Sequence, residues 1–260
     1  MALTKVTGAG VEGVTISSTT DTSDQFILTN TDTGSSSGPD LVLFRQSTSS
    51  AADSDGIGRI DYRGLNDANQ EINYATTYAK ISDASDGTED GEFYIQQISG
   101  GSYVTTLKID GSGAVTKPLQ PAFGVYKSSG QDNIVVGSGS PTTITWESEY
   151  FDNNGDFASN TFTAPVTGKY LLGCRLRTGS IDSGATYYYI MINTSNRNYY
   201  NIMSPDRFSG DPTYWHMQIS ELAEMDANDT AHITFVQVGG SAQTDIDDGV
   251  NSSFWGHLVC

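Results

Sequence analysis

The chain has 260 residues, with 28 glycines, 14 tyrosines, only 17% charged residues and a formal charge of −18. That composition argues against a helical bundle and for a turn-rich all-β protein long enough for two modest domains. The acidity is even, with 7 Lys and Arg against 16 Asp and Glu in residues 1–117 and 6 against 15 in residues 118–260, so no basic face gathers phosphates and nucleic acid is excluded as a partner.

Met1-Ala2-Leu3-Thr4-Lys5-Val6 opens without a hydrophobic signal core, and no apolar run approaches membrane-spanning length. Synthesis and folding in a cytoplasm, with no membrane insertion, is the expectation. Apolar alternation then predicts short strands at 13–16, 25–30, 41–45, 57–64, 71–81, 91–98 and 103–109, separated by Gly-, Asp- and Asn-rich turns. Such strands expose edges and enclose a thin core, and association of copies would remedy both. Gly111-Ser112-Gly113, Pro118 and Pro121 mark a linker, which divides the chain into a β-rich shaft or mount, 1–117, and a second domain, 118–260.

In that second part longer strands are predicted at 122–126, 142–146, 160–163, 170–177, 186–193, 214–222, 230–238 and 253–259, a spacing that suits a two-sheet sandwich or jelly roll. Residues 221–226 read as a short helix. Cys174 and Cys260 are too few for a disulfide framework and read as buried or terminal thiols. The run Phe162-Thr163-Ala164-Pro165-Val166-Thr167-Gly168-Lys169-Tyr170 is a strand, a corner and a strand restart: β-formers, a Pro that stops pairing, and a Gly that permits reversal.

Residues 118–260 resemble the globular head of the complement C1q and tumour necrosis factor superfamily. The resemblance is carried by Pro121-Ala122-Phe123-Gly124-Val125-Tyr126, by Phe151-Asp152-Asn153-Asn154-Gly155-Asp156-Phe157 and by the Phe162–Tyr170 run. Leu222-Ala223-Glu224-Met225-Asp226-Ala227-Asn228-Asp229 and Phe254-Trp255-Gly256-His257-Leu258 complete it. It implies a ten-stranded jelly roll packed as a homotrimer, with Phe123, Tyr126, Phe162, Pro165, Tyr170, Tyr187, Tyr189, Phe254 and Trp255 in core and interface. Residues 1–117 are similar to a module of tailed-phage fibre and appendage proteins, through Gly38-Pro39-Asp40-Leu41-Val42-Leu43-Phe44-Arg45, Ala52-Asp53-Ser54-Asp55-Gly56-Ile57-Gly58-Arg59-Ile60 and Asp83-Ala84-Ser85-Asp86-Gly87-Thr88-Glu89-Asp90-Gly91. The metazoan secreted members of the C1q and tumour necrosis factor superfamily usually carry a signal peptide and a collagen stalk upstream, and this sequence shows neither.

Reactive chemistry is sparse. His216, His232 and His257 fall in predicted strands without metal-ligand spacing. No carboxylate pair is singled out for glycoside hydrolysis, and no nucleophile elbow or phosphate-cradling loop is present. The chain reads as a non-enzyme without a cofactor. Asp245-Ile246-Asp247-Asp248-Gly249 offers hard oxygen ligands, so calcium is one reading and a solvated acidic turn the other. Tyr199, Tyr200, Tyr214 and Trp215 lie among Asn, Asp and Gly in segments read as connections, a composition suited to ligand contact. With Asp245, Asp247 and Asp248 they are the receptor-contact candidates. The expectation is a virion protein, a tail fibre or spike, whose first part docks on other virion proteins and whose trimeric knob recognises a host-surface glycan or protein. A capsid decoration or head-fibre protein is the alternative, and a glycan depolymerase at the subunit seam comes third.

Overall fold

The computed structural model describes residues 26–35, 38–46, 49–137 and 141–260. The strand expected at 13–16 and the opening Ala2–Val6 lie outside them. An N-terminal antiparallel meander runs in chain order through β1 (Gly56–Leu65), β2 (Glu71–Asp83), β3 (Asp90–Ser99), β4 (Ser102–Ile109) and β5 (Val115–Thr116). Its turns are made by the polar residues read from the sequence. Asn66 accepts the backbone N–H groups of Ala68 and Gln70, and Asp110 accepts those of Ser112 and Ala114. Gly100 and Gly101, at φ 55° and 82°, supply the left-handed pair that a two-residue hairpin requires.

The rest is a two-layer sandwich. Its front sheet contains β6 (Ala122–Lys127), β8 (Ser148–Asp152), β11 (Gly168–Gly179), β14 (Tyr214–Met225) and β17 (Gly249–Leu258), in the order β14-β11-β17-β6-β8. The back sheet contains β9 (Phe157–Ala158), β10 (Thr161–Thr163), β12 (Ala185–Thr194), β13 (Asn198–Met203) and β15 (Thr230–Gly239), in the order β13-β12-β15-β10-β9. Two short strands, β7 (Thr142–Thr143) and β16 (Asp245–Ile246), pair with β15 and β11. The chain crosses repeatedly from one sheet to the other as in a jelly roll, with the hairpins β9–β10 and β12–β13 kept within the back sheet.

Alternate residues of each sheet meet in one core. Phe123 stacks on Phe157 and Phe162 at 5.1 and 4.6 Å and meets Phe254 edge-on at 4.9 Å. Leu172, Leu176, Ile190, Ile192 and Ile233 fill the remainder. Cys174 is buried here as a free thiol, and its burial pushes its pKa well up. Cys260 is exposed.

Several expectations are corrected. Residues 221–226 are not helical. Residues 221–225 finish β14, where Leu222, Ala223, Glu224 and Met225 pair in register with Leu171, Tyr170, Lys169 and Gly168 while Ala223 and Met225 enter the core, and Asp226 opens the turn that follows. Pairing over twelve rungs outweighs a weak local helix preference. Of residues 142–146 only Thr142 and Thr143 pair. Residues 26–30 and 41–45 join no sheet; Leu43 instead packs its side chain over Gly58, and Arg45 donates to the Gly56 carbonyl. Asn198–Met203, read as connection, is an edge strand paired from Asn193↔Asn198 to Tyr188↔Met203.

Candidate functional site

The outward face of the front sheet carries an apolar band. Register brings Leu222, Leu171 and His257 onto one rung, then Gly173, Trp255, Gly124 and Phe151 onto the next. The glycines make the second rung flat: a Cβ at Gly173 would run into the Trp255 indole, and one at Gly124 would come within 2.9 Å of the Phe151 ring. Tyr126 stacks on Tyr150 at 4.5 Å beside them. Tyr150, Phe151 and Leu222 are each about half exposed. Between Phe151 and Trp255 lies an open groove of about 480 Å³, lined also by Ala122, Gly124, Tyr150 and His257.

At one end of this face the structure joins two of the receptor-contact candidates through a residue the sequence did not single out. Arg177 donates through Nε to Asp247 Oδ2 at 2.8 Å, and its guanidinium sits 5.0 Å from the centre of the Tyr214 ring. Trp215 turns the other way and meets Phe208 edge-on at 5.0 Å, while its carbonyl accepts the Thr178 hydroxyl. Asp245 accepts the Asn133 N–H at 2.8 Å, and Asp248 is exposed. The three carboxylates therefore do not converge on one point, and among the described residues no group of three or more His, Cys, Asp or Glu is placed to hold a metal. Tyr199 packs partly against the core, and Tyr200 lies on the outer back sheet, edge-on to Tyr189 at 5.6 Å. Tyr189 in turn stacks on Tyr187 at 6.2 Å.

The core and interface candidates also separate. Phe123, Phe162, Tyr170 and Phe254 are wholly buried in the sandwich. Tyr126 and Trp255 face outward on the front sheet, Tyr187 and Tyr189 outward on the back sheet, and Pro165 is exposed at a corner. That corner is closed by Tyr170, whose hydroxyl donates to the Val166 carbonyl at 2.7 Å. Ala164 exchanges backbone bonds with the 226–229 turn through Asp229 O and Asn228 N, so two sequence motifs 60 residues apart form one structural knot. Asp152 accepts the N–H groups of Gly155, Asp156 and Phe157, which is why an Asp opens that motif.

Titratable groups in the sandwich act as struts. Asp182 accepts N–H bonds from Ala242, Ser241 and Gly184, which hold its pKa below the usual carboxylate range. Lys127 is fully buried and donates to the Thr145 carbonyl and to Glu147; burial lowers its pKa, against the pull of Glu147. His232 is half-buried and burial lowers its pKa, whereas His216 and His257 are exposed on strands. Nothing in the sequence pattern marked Arg177 or Tyr150, and Phe151 stood only at the head of a turn motif, since each acquires its role from a strand neighbour distant in the chain.

Among solved structures the chain is similar to the globular domain of zebrafish complement 1qA, at 14% identity over 54% of this chain and 98% of that one, with a TM-score of 0.38. It is also similar to murine APRIL crystallised at pH 8.5, at 9% identity over 54% and 99% of the two chains with a TM-score of 0.40, and at pH 8.0, at 9% identity over 54% and 99% with 0.39. No protein-family model and no curated protein matches the sequence.

Proposed function

We propose that the chain is a virion protein of a tailed phage, a tail fibre or spike that binds rather than catalyses, whose C-terminal sandwich assembles as a homotrimer and recognises the host surface. The motifs of residues 1–117 support the virion reading. The observation that carries the self-association is the outward band of Tyr126, Tyr150, Phe151, Trp255, Leu171 and Leu222. It is continuous and flattened by two glycines, and apolar patches of this kind mark association surfaces rather than free solvent faces. Three copies then present three equivalent recognition surfaces, and weak contacts add because the second engagement is intramolecular.

Sedimentation of the purified chain checks the first half of this reading: a trimer is expected, and Phe151→Asp with Leu222→Asp is expected to weaken it by at least tenfold while the chain stays folded. A wild-type monomer at micromolar concentration overturns it. For recognition, Tyr200→Ala with Tyr214→Ala and Trp215→Ala is expected to abolish adsorption to host cells while leaving the assembly intact. Tyr199 is left out because it supports the core. Unchanged adsorption places the contact elsewhere. Copy number per particle separates this role from capsid decoration: small multiples around a tail against tens to hundreds on a shell.

A further inference from the structure

The N-terminal sheet sorts its side chains by face, and the sorting is inverted for a sheet that stands in water. Cross-strand register sets Ile60, Thr77, Ile95 and Leu107 on one rung, with Tyr62 beside Ala75 and Phe93 beside Ile109 on the same side. These rungs carry no charge. The opposite face holds Arg59, Asp61, Thr76, Tyr78, Glu92 and Lys108, and it satisfies itself. Asp61 takes Arg63 at 2.8 Å, Arg59 at 2.9 Å, and the Asn73 and Thr76 side chains. Tyr94 stacks on Tyr78 at 4.6 Å and donates to Glu92, which pairs with Lys108 at 2.6 Å.

Along β3 the polar-face residues Glu92, Tyr94 and Gln96 are half-buried while Phe93, Ile95 and Gln97 on the apolar face are exposed. Ile60, Tyr62, Phe93 and Ile95 are 37–55% exposed. Leu43 rests on this side at Gly58, in a groove of about 150 Å³ that ends at Ala79 and Phe93, and leaves most of the face open.

We propose that this apolar face packs against the same face of neighbouring copies, so that the N-terminal sheets share one core between chains. The proposal rests on the self-association argued above and adds a second, separate contact to it. Four strands of about nine residues, at about 4.8 Å between strands and 3.3 Å per residue, span on the order of 600 Å², close to the roughly 800 Å² per partner of a stable interface. Leu41, Val42 and Phe44, which flank Leu43 in the chain, are exposed as well. An uncharged face also lets copies meet although residues 1–117 carry a net charge of −9, because Asp61 and Glu92 of the sheet lie on its other face.

The test uses the full chain in a Cys260→Ser background, where Cys174 is buried and unreactive. Ile95→Cys and, separately, Thr77→Cys are treated with a short bismaleimide at micromolar concentration, and Arg59→Cys reports on the polar face. Covalent dimers from Ile95→Cys and Thr77→Cys, and monomers from Arg59→Cys, are expected on a denaturing gel. If sedimentation shows an assembly while Ile95→Cys and Thr77→Cys remain monomeric on a denaturing gel, another segment of the same chain covers the face. The shared core is then overturned while the sandwich contact stands. Cross-linking through Arg59→Cys instead overturns the assignment of the face, and a monomer in sedimentation overturns the self-association on which the proposal rests.

Discussion

Among the described residues every buried hydrophobic side chain belongs to the sandwich, from Phe123 to Phe254, and the N-terminal sheet supplies none. Its most buried residue is Thr76, a polar one. Both regions are antiparallel sheets built from similar alternation, yet the sandwich folds a second sheet over its apolar side and the N-terminal sheet has no second layer among the described residues. A sheet is amphipathic whatever its surroundings; what differs is whether the chain itself supplies the cover.

The comparison can be broken by substitution, beginning where the expected effect is largest. Phe123→Ala removes a ring that touches three others in the sandwich core and should cost about 3–5 kcal/mol in denaturant unfolding; a loss below 1 kcal/mol would mean the core is not closed as described. Asp182→Asn should cost about 2–3 kcal/mol, since it weakens three bonds to a buried carboxylate. Because the folded pKa of Asp182 is depressed, its stabilisation is fully present above the ordinary carboxylate value near 4 and is lost as pH falls through the folded value. The wild-type advantage over Asp182→Asn should therefore shrink in acid melts below pH 4, and an advantage that stays constant would show that the charge contributes nothing.

Phe93→Ala probes the other region. In an isolated copy, where the ring is 40% exposed, it should matter little; with the face covered we expect a loss of about 2 kcal/mol that fades on dilution. A concentration-independent melting shift would count against a shared core. The smallest effect belongs to Glu71→Gln, which removes an ion pair to Arg63 whose partners are both at least half exposed. It should leave the melting midpoint where it is, in low and high salt alike.

Strand identity was written in local alternation: 56–65, 71–83, 90–99, 102–109, 168–179, 185–194 and 230–239 lie close to the expected positions. So were the turns, because Asp, Asn and Gly bond or bend within a few residues of themselves. The helix expected at 221–226 failed for the converse reason, that its partner strand begins at Gly168. The candidate site was only partly legible. Tyr214 and Asp247 could be named from composition, but the Arg177 that joins them became visible only when β11, β14 and the segment after β16 were placed side by side.

The amino-acid order by itself determined that the chain is all β, where most strands and turns fall, and which faces are apolar, because these depend on period-two patterning and local hydrogen bonding. Only the tertiary structure decided which apolar faces are covered. It closed Phe123 and Phe254 between two sheets and left Trp255, one residue further along the same strand, outside with Phe151. Burial is a property of what lies across from a residue, and that is set by pairings between segments tens to more than a hundred residues apart.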